Sequence, residues 1–137
     1  MTIKSTVRMT DDSRFEPATG PSREQMNPKE LFLCSAATCA ALTALSIMKR
    51  QRIAPVNFEV TVSGRLSTDE VRAESVYESF EVFYRVETRN DDDDARVGRA
   101  IILAHDKYCG LVRMLKMIGP VSRGISAVVS VPAASMP

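Results

Sequence analysis

The sequence predicts an α+β fold with a mainly antiparallel sheet, formed by a single domain that spans residues 1–137. Residues 2–9, 56–63 and 79–86 alternate between apolar and polar side chains, which is the period of a half-buried strand. A long apolar helix separates the first strand from the other two, and a second helical pattern precedes a last strand. The predicted order is therefore strand, loop, helix, strand, strand, helix, strand.

The first strand is followed by a long polar loop. Ile3, Val7 and Met9 form the apolar face of the strand. The chain from Thr10 to Asn27 is polar and punctuated by proline and glycine, with a candidate short strand around 14–16. Loops of this length in a compact domain are usually functional or disordered.

The central helix has recognisable ends. Asn27 can cap it, and Pro28 fits its first turn because the missing N–H would have no partner there. The helix is expected to end at Arg50 or Gln51, where basic residues suit the negative end of its dipole. The run 31–48 carries no charge and is nearly long enough to span a bilayer. Its richness in Ala, Ser, Thr and Cys favours a buried helix of a soluble protein instead.

Two alternating segments follow this helix, and we expect them to pair as an antiparallel hairpin. The connection between them, Ser67 to Ser75, has no strong helical pattern and is too short for a crossover between parallel strands. Their apolar faces carry Val56, Phe58, Val60 and Val62 in the first segment and Phe80, Val82, Tyr84 and Val86 in the second.

The acidic run after the hairpin predicts the start of another helix. Asn90 and Asp91 to Asp94 lack the central glycine of a calcium loop, so we expect one aspartate to cap this helix. Apolar residues at three- and four-residue spacing follow, with Gly110 as a candidate break and Gly119-Pro120 as the stop. The last strand is expected to place one set of residues on a common face: Val121, Ile125, Ala127, Val129 and Val131.

Composition and charge exclude several classes of function. The net charge is +1 with acids and bases interspersed, which gives no basic patch for a nucleic acid. Three cysteines lack the dense spacing of a secreted disulfide scaffold. No apolar segment follows the basic residues at the N-terminus, so we expect a soluble, cytoplasmic protein with no membrane partner.

The cysteines carry the most specific chemical signal. Cys34 and Cys39 lie about 140° apart around an ideal helix and about 7.5 Å along it, so they cannot form a disulfide without unwinding. Sequence places no such limit on Cys39 and Cys109, which are seventy positions apart. Taken singly, each cysteine is better explained by packing than by function, because free cysteine is among the most buried residues.

Two cysteine-centred segments together resemble the OsmC/Ohr family of organic hydroperoxide resistance and osmotically induced proteins. Asn27-Pro28-Lys29-Glu30 begins twelve positions before Cys39, as in the first cysteine motif of the family. Lys107-Tyr108-Cys109, introduced by Arg99-Ala100-Ile101 and followed by an apolar helix, is similar to the second motif. The resemblance covers about residues 27–130, includes the hairpin, and is greatest to the YhfA-like branch.

The resemblance implies an OsmC-like fold, in which a mainly antiparallel sheet wraps a long buried central helix. It also implies an intertwined homodimer with each site at the subunit interface. The implied activity is that of a thiol peroxidase that reduces organic hydroperoxides without cofactor or metal. Cys39 would be the peroxidatic thiolate and Cys109 the resolving thiol, and a dithiol or lipoyl-type reductant would restore both.

A thiolate in an apolar helix needs a cation nearby, because burial raises the pKa of a thiol. Cys39 lies about three turns from the helix start, too far to gain much from the dipole. By the resemblance, an arginine of the N-terminal loop supplies the charge and a carboxylate at the helix start holds it. Arg14 and Glu30 are the candidates, with Arg23 in reserve. In the hydroperoxide-resistance branch the carboxylate directly follows the proline, where this chain has Lys29.

Three points stay open from the residues alone. If Gly110 starts a new helix, Cys109 lies at its N-terminus, where the dipole would make it the more acidic sulfur. His105, the only histidine, is expected at a partly exposed helix edge rather than as a base or as a metal ligand with the cysteines. Met114 and Met117 are expected in the core.

Two non-enzymatic functions compete with the peroxidase. The protein could be a non-catalytic member of the same fold that binds an apolar small molecule at the dimer interface. Alternatively, the cysteines could serve only packing in a structural dimer.

Overall fold

The computed structural model describes residues 1–89 and 93–129 and confirms the predicted α+β class. A 3₁₀ turn (Arg23–Gln25) precedes the central helix, and a π-turn (Ala104–Tyr108) joins the last two helices. The strands are β1 (Thr2–Met9), β2 (Phe15–Pro17), β3 (Asn57–Leu66), β4 (Tyr77–Thr88) and β5 (Val121–Val129). The helices are α1 (Pro28–Arg50), α2 (Asp93–Leu103) and α3 (Gly110–Ile118).

One mixed sheet of five strands contains all the described strands, in the order β2-β1-β3-β4-β5. The pairs β1–β2, β1–β3 and β3–β4 are antiparallel, so the predicted hairpin is confirmed. Strand β5 pairs with β4 in parallel, a pairing that the sequence patterns did not predict. The segment from α2 to α3 makes this pairing possible, because parallel neighbours need a crossover of a dozen or more residues.

Helix α1 packs against the sheet through a face of small residues. Ala37, Ala40 and Ala44 have no exposed surface, and small side chains let the helix approach β1 and β3 closely. Leu42 lies on the other side and keeps 47% of its surface exposed. An 18-residue window of α1 has a mean hydropathy of 2.0, enough to cross a membrane, but half of the window is buried inside the protein. That burial is typical of a core helix.

The hairpin encloses the core as its alternation predicts. Val60 and Val62 of β3 and Val82 and Tyr84 of β4 are fully buried. Phe83 points to the opposite face of the sheet and is 38% exposed. One face of the sheet therefore packs under the helices while the other remains open.

Two expectations for the C-terminal part change. Met114 and Met117 are 56% and 82% exposed, so their prediction as core residues was wrong. Helix α3 buries Val112 and Leu115 instead, and a short helix with one buried side leaves the methionines on the other.

The last strand follows its predicted pattern only in part. Val121 and Ile125 pack against the core, but Ala127 is exposed. Val131 and the proposed cap at 90–92 lie outside the described residues.

Candidate dithiol site

Helix α1 presents Cys39 and Cys34 to different surroundings. The helix begins as predicted, with the Asn27 side chain accepting a hydrogen bond from the Glu30 N–H at 2.9 Å. Cys34 is fully buried, whereas Cys39 is partly accessible. The Thr43 hydroxyl donates to the Cys39 carbonyl oxygen at 2.8 Å, one turn further along the helix.

Cys109 lies where the chain changes from the π-turn to α3. Its N–H donates to the Ala104 carbonyl oxygen at 2.8 Å, the five-residue spacing of a π-turn. Its own backbone is extended, with φ −81° and ψ 107°, and it forms the N-cap of α3. The predicted break at Gly110 is thereby confirmed. Local π geometry is frequent at functional sites.

The two sulfur atoms are in contact. Cys109 Sγ lies 3.3 Å from Cys39 Sγ, and both thiols are free in the structure. A disulfide has a bond of about 2.05 Å, so closing one would bring the sulfurs together by little more than 1 Å. This arrangement therefore suits reversible disulfide chemistry. The distance between the two sulfurs could not be inferred from the positions of the cysteines in the sequence.

Burial determines the protonation of Cys109. The thiol is fully buried, and burial raises its pKa to about 11. Backbone N–H groups of Val112 and Leu111 lower the pKa, as a helix N-terminus should, but they do not outweigh burial. The N–H groups at the start of α3 therefore do not bring the pKa of Cys109 below its ordinary value.

Tyr84 and His105 form a buried polar pair beside the thiols. Tyr84 Oη lies 2.8 Å from His105 Nδ1, and the rings meet edge to face with centroids 5.6 Å apart. His105 is only 2% exposed, so its expected place at an exposed helix edge was wrong. Burial lowers the pKa of His105 to about 4, and the positive charges of Lys116 and Arg123 act in the same direction. The imidazole is thus neutral at neutral pH.

The charge state of Cys109 affects the pKa of Tyr84 in this pair. Burial first, and then the negative charge of an ionised Cys109, raise the pKa of Tyr84. The phenol consequently stays protonated and can donate its O–H to the neutral His105 Nδ1. Because Nδ1 already has this partner, it is poorly placed to serve as a metal ligand with the cysteines.

Arg23 reaches helix α1 next to Cys39. Its Nη2 donates to the Phe15 carbonyl oxygen at 2.7 Å and to Thr38 Oγ1 at 3.4 Å. Its Nη1 forms an ion pair with Glu16 at 2.9 Å. Thr38 immediately precedes Cys39 in the sequence, so this network holds a guanidinium against the turn of α1 that carries Cys39.

The two residues named first from the resemblance lie in other contacts. Arg14 forms an ion pair with Asp12 at 3.5 Å, and 79% of its side chain is exposed. Glu30 accepts a hydrogen bond from the Asn27 side chain at the start of α1. The structure thus brings Arg23 and Glu16 to α1, whereas the catalytic roles of Arg14 and Glu30 stay predictions. The seven-residue spacing of Glu16 and Arg23 within one loop carries no signal that identifies them from sequence.

A groove of about 550 Å³ opens next to the segments that carry the two thiols, although neither cysteine lines it. Thr43, which bonds the Cys39 carbonyl, and Tyr108, which precedes Cys109, both line it. Three of the remaining lining residues are apolar, namely Leu42, Ile47 and Leu103, and three are polar or charged, namely Ser46, Arg50 and Gln51.

An α+β fold in which a central helix and a crossover segment bring two free thiols together defines a class of small dithiol proteins. Residues 20–121 match the family model described as OsmC-like protein. Protein YhfA of Escherichia coli K12 is 30% identical over 90 residues, which cover 66% of this chain and 64% of YhfA. The match thus spans just under two thirds of this relative. The chain belongs to the OsmC-like family, as the two cysteine motifs predicted.

Solved structures support the same fold. A hypothetical protein from Aquifex aeolicus VF5 superposes with a TM-score of 0.66 at 19% identity, covering 95% of this chain and 99% of that one. The organic hydroperoxide resistance protein OsmC of Legionella pneumophila gives 0.57 at 17% identity, with coverages of 92% and 96%. OhrB of Bacillus subtilis, also an organic hydroperoxide resistance protein, gives 0.56 at 17% identity, with coverages of 92% and 98%. At these identities the similarity establishes the fold alone.

The buried His105 predicts a loss of stability at mildly acidic pH. The unfolded histidine binds a proton below about pH 6.5, whereas the folded one does so only near pH 4. The free energy of unfolding should therefore fall as pH decreases from 6.5 towards 4, by up to about 1.4 kcal/mol per pH unit from this group.

Urea unfolding at several pH values tests this expectation. The control is His105→Asn, which cannot titrate and should show a flatter dependence between pH 6.5 and 5, above the range of most carboxylates. Parallel curves for the two proteins would contradict the prediction.

Proposed function

We propose that this protein is a thiol-dependent peroxidase that reduces organic hydroperoxides to alcohols. The observation that supports it most directly is the 3.3 Å contact between Cys39 and Cys109, two thiols held by different elements. Membership of the OsmC-like family and the fold of organic hydroperoxide resistance proteins favour the same chemistry.

Cys39 is the better nucleophile of the two because it is accessible. Its thiolate would attack the distal oxygen of the hydroperoxide, break the O–O bond, and leave an alkoxide that takes a proton to give the alcohol. The sulfur becomes a sulfenic acid. Cys109 cannot take this role easily, since it is fully buried and its raised pKa keeps it protonated at neutral pH.

Cys109 would then resolve the sulfenic acid. Its sulfur attacks Cys39 Sγ, the S–O bond breaks, and one water leaves as the Cys39–Cys109 disulfide forms. A small external dithiol or a lipoyl-type group must return two electrons and two protons to regenerate both thiols. This dependence implies a compartment that keeps thiols reduced, such as the cytoplasm.

Arg23 is the cation that we assign to Cys39. Its guanidinium contacts Thr38 and is held by Glu16 and the Phe15 carbonyl oxygen, whereas Arg14 is mostly exposed. A positive charge close to a thiol favours the thiolate over the thiol. In this proposal Arg23 takes the role that the resemblance assigned first to Arg14.

We also propose that the active form is a homodimer. Apolar residues remain exposed on the helical side of the single chain, among them Leu42, Tyr108 and Met117 at 47%, 56% and 82%. Several of them surround the groove beside the thiols. A second copy would cover this surface and limit the access of water to the site.

The groove favours a second candidate function. A non-catalytic protein could hold a small apolar ligand in the same groove, whose volume is about 550 Å³. The thiol contact gives such a protein no advantage, which is why we rank the peroxidase first.

Turnover of cumene hydroperoxide with dihydrolipoamide separates the two functions. Cys39→Ser should abolish turnover, because no sulfenic acid can form. Cys109→Ser should consume about one peroxide per chain and then slow sharply, with the sulfenic acid trapped by dimedone.

Cys34→Ser is the matched control, since it alters a cysteine of the same helix outside the pair. It should keep turnover near that of the unmodified protein. Peroxide consumption that survives Cys39→Ser refutes the mechanism, and no turnover by the unmodified protein supports the ligand-binding alternative.

Arg23→Gln and Arg14→Gln test the assigned cation. Loss of the Arg23 charge should slow the reaction of Cys39 with the hydroperoxide about tenfold at pH 7, because an opposite charge near a thiol favours its reactive, ionised form. Arg14→Gln should change the rate less than twofold. Equal rates for the two variants would remove Arg23 from the mechanism, and a larger loss in Arg14→Gln would restore Arg14.

Light scattering after size-exclusion chromatography tests the dimer. The protein should elute with twice the chain mass of 15.1 kDa. Leu42→Glu should shift it towards the monomer, because a charge would be buried in the interface. The control is Val71→Glu, which places the same charge at another exposed apolar residue, 36% exposed, in the loop between β3 and β4. A monomeric unmodified protein at micromolar concentration would contradict the proposal.

A further inference from the structure

The π-turn before Cys109 is anchored at two consecutive residues. His105 bonds Tyr84 of β4 through the buried 2.8 Å contact. Asp106 pairs with Arg123 of β5 at 2.9 Å and lies 3.9 Å from Lys116 of α3. The segment that carries the thiol is therefore tied to both parallel strands of the sheet.

These two anchors differ in strength. The Asp106 carboxylate is about half exposed, and exposed ion pairs contribute little to stability. Tyr84 and His105 are buried at 0% and 2% exposure, so the loss of either hydrogen-bonding group would leave a polar atom without a partner in the interior. The buried pair is thus the anchor that most strongly limits the position of the π-turn.

The position of the π-turn sets the position of the sulfur. Cys109 follows the turn directly, and its N–H is bonded back to Ala104, the residue before His105. The hydrogen-bond partners of this sulfur among the described residues are Cys39 and the backbone N–H groups of Leu111 and Val112, which belong to the segment that follows it. Its 3.3 Å approach to Cys39 therefore depends on where the backbone places it.

We propose that Tyr84 and His105 are positioning residues, which hold the Cys109 sulfur at the distance where a disulfide with Cys39 can close. Their biological role rests on the proposed peroxidase, whose resolving step is this closure. The positioning itself is independent of peroxide and can be measured in its absence.

Equilibration with glutathione measures the positioning directly. The protein dithiol reacts with one oxidised glutathione to give the Cys39–Cys109 disulfide and two reduced glutathiones. The equilibrium constant of this exchange reports the effective concentration of one thiol at the other. Cys34→Ser serves as the background, so that no third thiol competes.

Tyr84→Phe removes only the hydroxyl and should lower this constant at least threefold, since a buried hydrogen bond is lost where the turn is oriented. Tyr77→Phe is the matched control. Tyr77 lies on the same strand and donates its hydroxyl to the Lys29 carbonyl oxygen at 2.6 Å, away from the π-turn. It should change the constant less than twofold even if it lowers thermal stability comparably.

His105→Asn and His105→Leu form a second matched pair. Both side chains are smaller than histidine and similar to each other in size, but only the amide can accept the Tyr84 O–H near the place of Nδ1. The asparagine variant should therefore form the disulfide at least threefold more favourably than the leucine variant. This pair decides the question if Tyr84→Phe does not fold.

The results distinguish failure of the positioning role from failure of the proposed peroxidase. Equal constants for the asparagine and leucine variants, or an effect of Tyr77→Phe as large as that of Tyr84→Phe, would overturn the positioning role. If the exchange behaves as expected while no hydroperoxide is turned over, the positioning stands and the proposed peroxidase fails.

Discussion

The contact between two sulfurs that are seventy residues apart is the constraint on which the site depends. One sulfur lies within a continuous helix, whose backbone fixes the direction of its Cα–Cβ bond. The other lies at a π-turn inside the crossover between parallel strands, where a single local change of geometry re-aims one residue. The parallel pairing of β5 with β4 is therefore more than a detail of topology. It carries the crossover segment back over the sheet and so brings Cys109 to α1.

Burial and helix polarity act on Cys109 in opposite directions, and their balance gives the two sulfurs unequal roles. N–H groups at the start of α3 favour the thiolate, but they are fixed partial charges that compensate only part of the lost hydration. The fully buried thiol of Cys109, beside a second sulfur, thus stays protonated at neutral pH. Cys39, with an accessible surface, is the sulfur that meets solvent. Two chemically identical groups acquire different chemistry from depth alone.

Sequence patterns predicted the elements that local forces determine. The capped start of α1, the β3–β4 hairpin and the break at Gly110 all follow from residues that lie close together in the chain. The parallel β5 could not be predicted this way, because its partner is chosen by the path of the intervening helices. The same limit applies to His105. Periodicity places it on a helix, but only the sheet beneath supplies the Tyr84 hydroxyl that makes its burial tolerable.

The candidate site shows the same difference between what local sequence determines and what the folded chain determines. A family resemblance selected Cys39 and Cys109 because the motifs are local, and the structure brings the two sulfurs together. The resemblance selected Arg14 before Arg23 because a loop has no periodicity from which direction can be inferred. In the structure Arg23 is bound at three points, by a carboxylate, a carbonyl oxygen and a hydroxyl of α1. A guanidinium held by three acceptors has already lost the side-chain freedom that an exposed arginine would lose on approaching the thiol. That preorganisation, rather than position in the sequence, is the physical reason to favour Arg23.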